Sequence, residues 1–393
     1  MDRGDFTADA PGELVDIVAN GYETVAFVPH DLDTIHLDQG AFTNEIGQAM
    51  RMLGALEYIG PKAGSNTMLV EAFARKEAVQ SSRIEGTQVT LADMYRYEAR
   101  QTVGEVTADT EGARQAKNYL DALRRGLKLL SARGEITTEA LCEMQAILLD
   151  GVRSEDPAPG EIRHTQNYIA PFEDAEISRA TFVPPPPEQA REKLERLLEY
   201  TNSRHAVHSL VKLGLIHYQF ETIHPFRDGN GRLGRVLISL ELQREELLSK
   251  PYLYLSAFFN EYRSDYTRLL TEVRTRGNWD DWLHFVLRGI WKQAAEAVER
   301  GERLMELRTE YTETYQRHRS PFIVPLAHKL FENPYITAKE AEQRLGCSHT
   351  TAYSLIETLE ADGVLVEVSG DGESRLYEAT EIFTLLDDPL SDL

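Results

Sequence analysis

Apolar residues recur at three- and four-residue steps along most of the chain, which is the spacing of helices that bury one face. With glycine and proline as breaks, this spacing predicts helices over residues 44–60, 67–81, 188–202 and 209–222, two helices within 112–149 that separate at 131–134, a helix containing 236–240, and further helices as far as Tyr315. Gly86 is predicted to stop the second of these helices. A stripe of large apolar residues in the last group is best explained as core packing, and its members are Trp279, Trp282, Val286 and Ile290.

Two stretches lack this helical spacing. Residues 1–40 are acidic and look irregular around a short apolar run at 24–28. Residues 151–187 are rich in glycine and proline, and 167–169 and 181–183 resemble short strands. The pattern therefore predicts a β-hairpin or long flap that four consecutive prolines close.

The end of the chain follows a different order of elements. Residues 336–345 and 348–360 have the pattern of two helices joined by Gly346-Cys347, and 364–368 and 375–378 read as strands around a turn at 370–372. Helix, turn, helix and hairpin is the order of a winged helix-turn-helix. We therefore expect a mostly α protein with a small α+β domain at its C-terminal end.

Length and charge narrow the class of protein. The chain has 393 residues and a formal net charge of −22, so two or three domains are expected and a broad surface for nucleic acid or anionic membranes is excluded. Neither a signal peptide nor an apolar run of membrane-spanning length is present in the sequence, and Cys142 and Cys347 lack metal-ligand spacing. These features favour a cytoplasmic protein.

Residues 224–235 bring unlike chemical groups together. Gly229 and Gly231 let the backbone turn and approach a ligand, and a helix that begins there offers its first N–H groups to an anion. Guanidinium groups suit phosphate oxygens, a carboxylate can hold Mg²⁺ between phosphates, and an imidazole can accept a proton near neutral pH. These groups belong to Arg232, Arg235, Asp228 and His224. Singly, each residue has a structural explanation, but the combination favours transfer of a phosphate-containing group to a hydroxyl.

This segment resembles the signature of the Fic domain, His-x-Phe-x-Asp/Glu-Gly-Asn-Gly-Arg-x-x-Arg. Every specified position is met, by His224, Phe226, Asp228, Gly229, Asn230, Gly231, Arg232 and Arg235. Residues 160–163, 167–169 and 182–185 look like the flap on which the family docks its targets, and Arg163 and His164 are therefore expected to contact a target. The resemblance covers about residues 60–300. It implies a Fic-type helical core and an adenylyltransferase that moves AMP from ATP to a protein hydroxyl.

The resemblance also implies roles for individual residues. His224 would be the general base that takes the proton from a target Ser, Thr or Tyr, and Asp228 would hold Mg²⁺ between the α- and β-phosphates. Phe226 is expected to anchor the loop in the core. The residues expected to bind the nucleotide are Gly229, Asn230, Gly231, Arg232, Leu233, Gly234 and Arg235, with Asn230 at the α-phosphate and the arginines at the β- and γ-phosphates.

One further nucleotide contact is expected from the resemblance. Tyr266 stands where relatives use a pair of tyrosines against adenine, although here the next residue is Thr267. Doc-type kinases of the superfamily have Lys at the position of Gly231, so glycine there favours AMP transfer over phosphorylation. Transfer of another nucleotide or head group stays an alternative.

An upstream segment matches the inhibitory pattern Ser/Thr-x-x-x-Glu-Gly/Asn that some Fic proteins carry. Its residues here are Ser81, Glu85 and Gly86. The resemblance implies that Glu85 pairs with Arg235 and so displaces the γ-phosphate, and that the same carboxylate can support removal of AMP. Any helix end can show this short pattern, but its place in a helical N-terminal region favours the inhibitory role.

These elements predict an N-terminal helical region with the inhibitory motif at 1–110, a Fic catalytic core at 111–300, a linking helix at 301–334 and a winged helix at 335–393. A rival class is a DNA-binding or scaffold regulator whose Fic site serves autoregulation. Residues 335–393 contain thirteen acidic and three basic side chains, a local charge of −10, which opposes DNA binding. We therefore expect ATP, Mg²⁺ and a protein substrate as partners, and favour dimerisation or target docking for the winged helix.

Overall fold

The computed structural model describes residues 1–19, 21–62, 66–103, 111–154, 156–170, 172, 175–369 and 375–388. The chain divides into two compact units that each combine distant segments. The first unit contains Met1–Met50, Asn118–Ser249 and Phe258–Trp291. The second contains Arg51–Lys117, Lys250–Ala257 and Lys292–Leu393.

Most described residues are helical, as the apolar spacing predicts. The helices are α1 (Thr43–Lys62), α2 (Asn66–Ile84), α3 (Leu91–Val103), α4 (Glu111–Arg133), α5 (Thr138–Leu148), α6 (Pro187–Asn202), α7 (Ser209–Ile223), α8 (Asn230–Arg244), α9 (Ser256–Glu261), α10 (Arg263–Arg276), α11 (Trp279–Tyr315), α12 (Ile323–Leu330), α13 (Ala338–Leu345), α14 (His349–Ala361) and α15 (Thr380–Asp387). Within the described ranges, no helix is both long and apolar enough to cross a membrane.

Five short strands form two antiparallel sheets in the described part of the chain. The strands are β1 (Gly12–Ala19), β2 (Tyr22–Pro29), β3 (Tyr335–Thr337), β4 (Val366–Glu367) and β5 (Leu376–Glu378). The first two pair with each other, and the last three lie in the order β3-β5-β4.

Helix α7 is the centre of the first unit. It is apolar on all sides, so it packs against α6, α8 and β2 rather than presenting one face to solvent. The indole N–H of Trp282 donates to the carbonyl oxygen of Gly214 at 2.9 Å, where the absence of a side chain lets α11 approach. The stripe of large residues predicted as core is buried, which confirms that prediction.

The β1–β2 hairpin corrects the interpretation of residues 1–40 as irregular. Val25, Ala26 and Phe27 of β2 are buried, and the amide of Phe27 donates to the carbonyl oxygen of Val183 at 2.9 Å. The hairpin thus lies beneath the segment predicted to be a flap. In the flap itself, the two predicted strands reduce to one antiparallel bridge between Ile169 and Phe182.

In the second unit, helix α2 packs against α3 and α15. Gly86 has a φ of +92° and follows the last turn of α2, where the amide of Thr87 donates to the carbonyl oxygen of Ser82 at 3.1 Å. A left-handed glycine with this backward hydrogen bond is a common helix terminator, so the predicted stop is confirmed.

The C-terminal part of the second unit has the predicted order of helix, turn, helix and strands. Helix α13 begins two residues later than predicted, because Ile336 belongs to β3 and the side chain of Thr337 caps the helix. Gly346, with a φ of +62°, ends α13 before α14. The predicted turn at 370–372 lies outside the described residues. The identity of this part as a winged helix stays a prediction.

Candidate active site

The motif that the sequence singles out occupies the loop between α7 and α8 and the first turns of α8. Helix α7 ends at Ile223, and the next residue, His224, has a left-handed backbone with a φ of 49°. Helix α8 begins at Asn230, after Gly229 with a φ of +81°. A non-glycine residue in the left-handed region is strained and persists only where its surroundings hold it, as often happens at functional sites.

The ring of His224 is half-buried and is oriented by its own helix. Its Nδ1 lies 3.3 Å from the carbonyl oxygen of Glu221. Because a carbonyl oxygen can only accept, Nδ1 carries a proton in this contact, and Nε2 is the nitrogen left to accept a proton. This orientation is the one required of a general base that acts through Nε2.

Asn230 uses its side chain to close the loop on itself. Its Oδ1 accepts from the amide of Phe226 at 2.9 Å, and its Nδ2 donates to the carbonyl oxygen of Phe226 at 2.8 Å. Phe226 is fully buried, which confirms its predicted role as an anchor. The Asn230 side chain therefore shapes the loop, and the group it can present to an α-phosphate is its backbone N–H at the first position of α8.

Arg232 is a buried cation whose hydrogen-bonding capacity is unfilled. Its Nε and Nη1 are buried without a hydrogen-bond partner in the described part of the protein, and its Nη2 lies 3.4 Å from Oδ1 of Asp228. Buried unpaired donors on a charged group cost free energy, so this arrangement suits an anionic ligand. Arg235, one turn further along α8, is also buried.

Asp228 is held by neighbours that the sequence does not reveal. Its Oδ2 accepts from the hydroxyl of Ser154 at 2.7 Å. The buried side chain of Gln145 donates to the carbonyl oxygen of Asp228 at 3.0 Å and accepts from the amide of Gly160. Gln145 and Ser154 belong to no motif, and no sequence signal marks them as partners of Asp228.

The site fits a magnesium ion whose remaining ligands the phosphates of a bound substrate would supply. The carboxylate of Asp228 is 34% exposed beside the start of α8. Mg²⁺ is commonly held by one or two carboxylates together with substrate phosphates. No cluster of three metal-ligating side chains occurs within the described residues. Asp228 is therefore the residue that would hold the ion.

Other predicted nucleotide contacts take part in packing. A Cβ at Gly234 would lie 2.3 Å from Oε1 of Glu221, so glycine there lets α7 and α8 approach closely. Leu233 is fully buried. Both serve the interface between the helices, and their contact with a nucleotide stays a prediction.

Tyr266 belongs to a buried aromatic cluster. Its ring stacks on Phe259 with centroids 4.7 Å apart, and its hydroxyl lies 2.9 Å from Nε2 of His217. Burial, reinforced by the charge of Arg235, lowers the pKa of His217 to about 3, so that imidazole is neutral. The predicted contact of Tyr266 with adenine has no exposed ring face to support it here, because only 5% of the residue is exposed.

The prediction for the start of the flap is wrong at one residue. Arg163, expected to contact a target, is 4% exposed, and its guanidinium donates to backbone carbonyls within the unit. Its neighbour His164 is exposed, as a target contact requires.

The residues of the predicted brake lie in the second unit. Ser81 is fully buried within α2. Glu85 and Gly86 follow the last residue of the helix and are exposed. The helix end therefore presents the carboxylate away from the core of its own unit.

Comparisons with known proteins agree with this site. Residues 135–242 match the model of the Fic/DOC family, and residues 43–128 match the model of the Fic/DOC family N-terminal region. The fold and the site thus define a Fic-type domain preceded by its N-terminal region. Residues 43–128 and 135–242 of the chain thus carry the N-terminal region and the domain of the Fic/DOC family.

Curated relatives share part of the chain. Protein adenylyltransferase Fic of Drosophila virilis is 32% identical over 184 residues, which is 44% of this chain and 34% of that protein. Protein adenylyltransferase fic-1 of Caenorhabditis elegans is 30% identical over 131 residues, 32% of this chain and 23% of that protein. The chain thus spans about a third or less of the length of these relatives.

A solved structure covers more of the chain and supports the fold alone. A Fic family protein from Desulfovibrio desulfuricans G20 has a TM-score of 0.55 at 19% sequence identity and covers 88% of this chain and 97% of its own.

Proposed function

We propose that this protein transfers AMP from ATP to hydroxyl groups of protein side chains. The observation that carries the proposal is the group at the start of α8, where a half-buried imidazole, an exposed carboxylate and a buried guanidinium with unfilled donors meet within twelve residues. The names of the relatives, protein adenylyltransferases, support the same activity.

The residues of this site account for each step of the proposed reaction. Nε2 of His224 accepts the proton of a target hydroxyl as its oxygen forms a bond to the α-phosphorus. The bond from that phosphorus to the oxygen bridging to the β-phosphate breaks, and pyrophosphate leaves with the electron pair. Arg232, Arg235 and the first amides of α8 bind the phosphates. A magnesium ion at Asp228 would neutralise phosphate charge when bound.

The flap supplies a surface for the target. Ile169 and Phe172 are exposed apolar residues on this segment, and Phe172 is 55% exposed. Because aromatic residues are enriched in protein–protein interfaces, we place the target chain along the flap.

Mass spectrometry after incubation with ATP and Mg²⁺ tests the activity. We expect an adduct of the mass of AMP on the protein itself or on an added target, and its loss in His224→Ala. His36→Ala, an exposed histidine outside the motif and the flap, is the matched control and is expected to keep most of the activity. An adduct that persists in His224→Ala would contradict the proposal. Transfer of label from the γ- but not the α-phosphate would favour phosphorylation, the alternative function.

The proposal extends to regulation by Glu85. If this carboxylate competes with the γ-phosphate for Arg235, Glu85→Gly is expected to raise auto-modification by about tenfold or more, because a close ion pair at a partly buried site is worth on the order of 4 kcal/mol before desolvation. The measurement is the initial rate of incorporation from α-labelled ATP. The double variant Glu85→Gly, His224→Ala should be inactive, and an unchanged rate in the single variant would refute the brake. Removal of AMP by the same carboxylate is the alternative role.

The domain organisation is part of the proposal. We assign the inhibitory region to 1–110, the catalytic core to 111–300, the linking helix to 301–334 and a winged helix to 335–393. Two of the basic residues of the last part already pair with acids, since Arg344 lies 2.6 Å from Glu340 and Arg375 lies 3.8 Å from Glu367. This charge pattern supports dimerisation or target docking rather than DNA binding.

A further inference from the structure

Arg163 joins three separate backbone segments beneath the flap. Its Nε donates to the carbonyl oxygen of His224 at 2.9 Å, its Nη1 donates to that of Thr165 at 3.3 Å, and its Nη2 donates to that of Pro185. Its own amide donates to the carbonyl oxygen of Pro225 at 3.0 Å. One residue therefore holds the end of α7, the base of the flap and the proline segment together.

The guanidinium of Arg163 is buried without a carboxylate partner in the described residues. Burial lowers the pKa of Arg163 to about 10, and no acidic neighbour offsets this effect. A cation in this position is costly, and carbonyl oxygens compensate it only if they converge on the planar fork. The three carbonyls meet this requirement.

The hydrogen bonds of Arg163 reach the part of the motif whose backbone is strained. His224 is left-handed, and Arg163 binds the carbonyl of this residue and of the next one, Pro225. Asn167 then donates to the carbonyl of the following residue, Phe226, at 2.9 Å. Three consecutive carbonyls after α7 are thus fixed by the flap segment. This contact keeps the backbone of His224 in the conformation that aims its ring.

We infer that Arg163 is a positioning residue that holds His224 in its working orientation and couples the flap to the base. The inference rests on the proposed function for His224. Because the guanidinium contacts no reacting atom, its loss should lower the rate of transfer without weakening the binding of ATP. Its loss should also change the tautomer of the His224 imidazole, which is set by the contact of Nδ1 with the carbonyl oxygen of Glu221 when Arg163 is present.

The kinetic test compares Arg163→Ala and Arg163→Lys with wild type. We expect kcat to fall about 100-fold in Arg163→Ala, as for a misplaced catalytic group, with the KM for ATP within about threefold. Lysine lacks the planar fork that binds the three carbonyls at once, so Arg163→Lys should recover only a small part of kcat. Added guanidinium ion should partly restore Arg163→Ala. Arg196→Ala, an exposed arginine on α6 outside the flap, is the matched control and should behave as wild type.

A second readout needs no turnover. Nitrogen-15 NMR of labelled histidine reports the tautomer of His224, which we expect to be protonated at Nδ1 in wild type and mixed in Arg163→Lys. If wild type transfers AMP and both Arg163 variants keep its kcat and its tautomer, the inference is wrong. If wild type transfers no AMP but the variants change the tautomer, the proposed function fails and the positioning role stands. Should Arg163→Ala not fold, Arg163→Lys carries both measurements.

Discussion

Ser154 is the residue through which the segment after α5 orients Asp228. Its hydroxyl donates to Oδ2 of Asp228 at 2.7 Å, and the amide of Asp156 donates to the same hydroxyl at 3.1 Å. A hydrogen bond to a carboxylate fixes which lone pairs face a metal ion. We predict that Ser154→Ala weakens Mg²⁺ binding, raising the ion concentration for half-maximal AMP transfer about 10- to 100-fold.

The measurement is a Mg²⁺ titration of the initial rate at saturating ATP, paired with a melting curve. Ser178→Ala provides the control, since Ser178 is an exposed serine whose hydroxyl lies 3.4 Å from Glu176. Restored activity at high Mg²⁺ identifies a positioning effect. A rate that stays low at every Mg²⁺ concentration while the fold is intact would contradict this role.

At the scale of residues, the sequence identifies the side chains proposed to carry the chemistry but not the residues that hold them in place. The motif predicts the imidazole, the carboxylate and the guanidinium at the start of α8, because they are consecutive in one loop. Gln145, Ser154 and Arg163 act on this loop across 61 to 83 residues of chain. Contacts of this kind depend on the fold and leave no local spacing, which is also why the sequence predicts a target contact for Arg163 instead of this role.

At the scale of elements, helices that bury one face are predictable because their period is local. Helices α4 and α6 are examples. The β1–β2 hairpin is not predictable in the same way. No position of β1 is fully buried, and its apolar residues, Leu14, Val15, Ile17 and Val18, do not alternate strictly with polar ones. Its strand character comes from pairing with β2, whose buried side faces the first unit.

The flap shows the limit of a strand pattern without a sheet. Residues 167–169 and 181–183 have strand-like composition, yet they share a single bridge. Other hydrogen bonds of these residues go to other segments, for example from the side chain of Asn167 to the carbonyl oxygen of Phe226 at 2.9 Å and from the amide of Phe27 to the carbonyl oxygen of Val183 at 2.9 Å. Buried backbone groups must find partners, and here side chains and other backbone segments supply them.

On the scale of the whole molecule, the helix that carries the proposed brake is anchored to the C-terminal part of its own unit. Nζ of Lys76 in α2 lies 2.6 Å from Oε1 of Glu296, and Nη2 of Arg300 lies 2.7 Å from the same oxygen. Arg300 also donates to the carbonyl oxygens of Leu385 and Asp388, the latter at 3.0 Å. Helix α2 and helix α15 are thereby linked through one buried cation.

The charges of Lys76 and Arg300 stabilise the ionised form of Glu296 and so strengthen this link. Burial opposes ionisation of Glu296, but Lys76 and Arg300 outweigh it and hold the pKa of that carboxyl at about 2. A carboxyl with a depressed pKa stabilises the fold above its unfolded pKa and loses this contribution as the pH falls toward the folded value. The link is therefore intact at neutral pH.

We predict that Arg300→Met loosens the brake as well as the fold. Loss of one partner of a buried ion pair should lower the free energy of unfolding by about 3–5 kcal/mol. With α2 less firmly held, Glu85 should occupy the nucleotide site less often, and auto-modification should rise. Arg303→Met is the matched control, because Arg303 is an exposed arginine on the same helix that pairs only one turn away, with Glu299. Its rate should equal that of wild type.

The double variant Glu85→Gly, Arg300→Met separates the two effects. If Arg300 acts only through the brake, its substitution adds nothing to the rate once Glu85 is removed, so the effects on rate are not additive while the loss of stability remains. A rate for Arg300→Met equal to that of wild type, with the expected loss of stability, would limit Arg300 to a structural role. A further rise in the double variant would place its effect outside the brake. Non-additivity would connect the C-terminal part of the second unit to regulation of the site on α8.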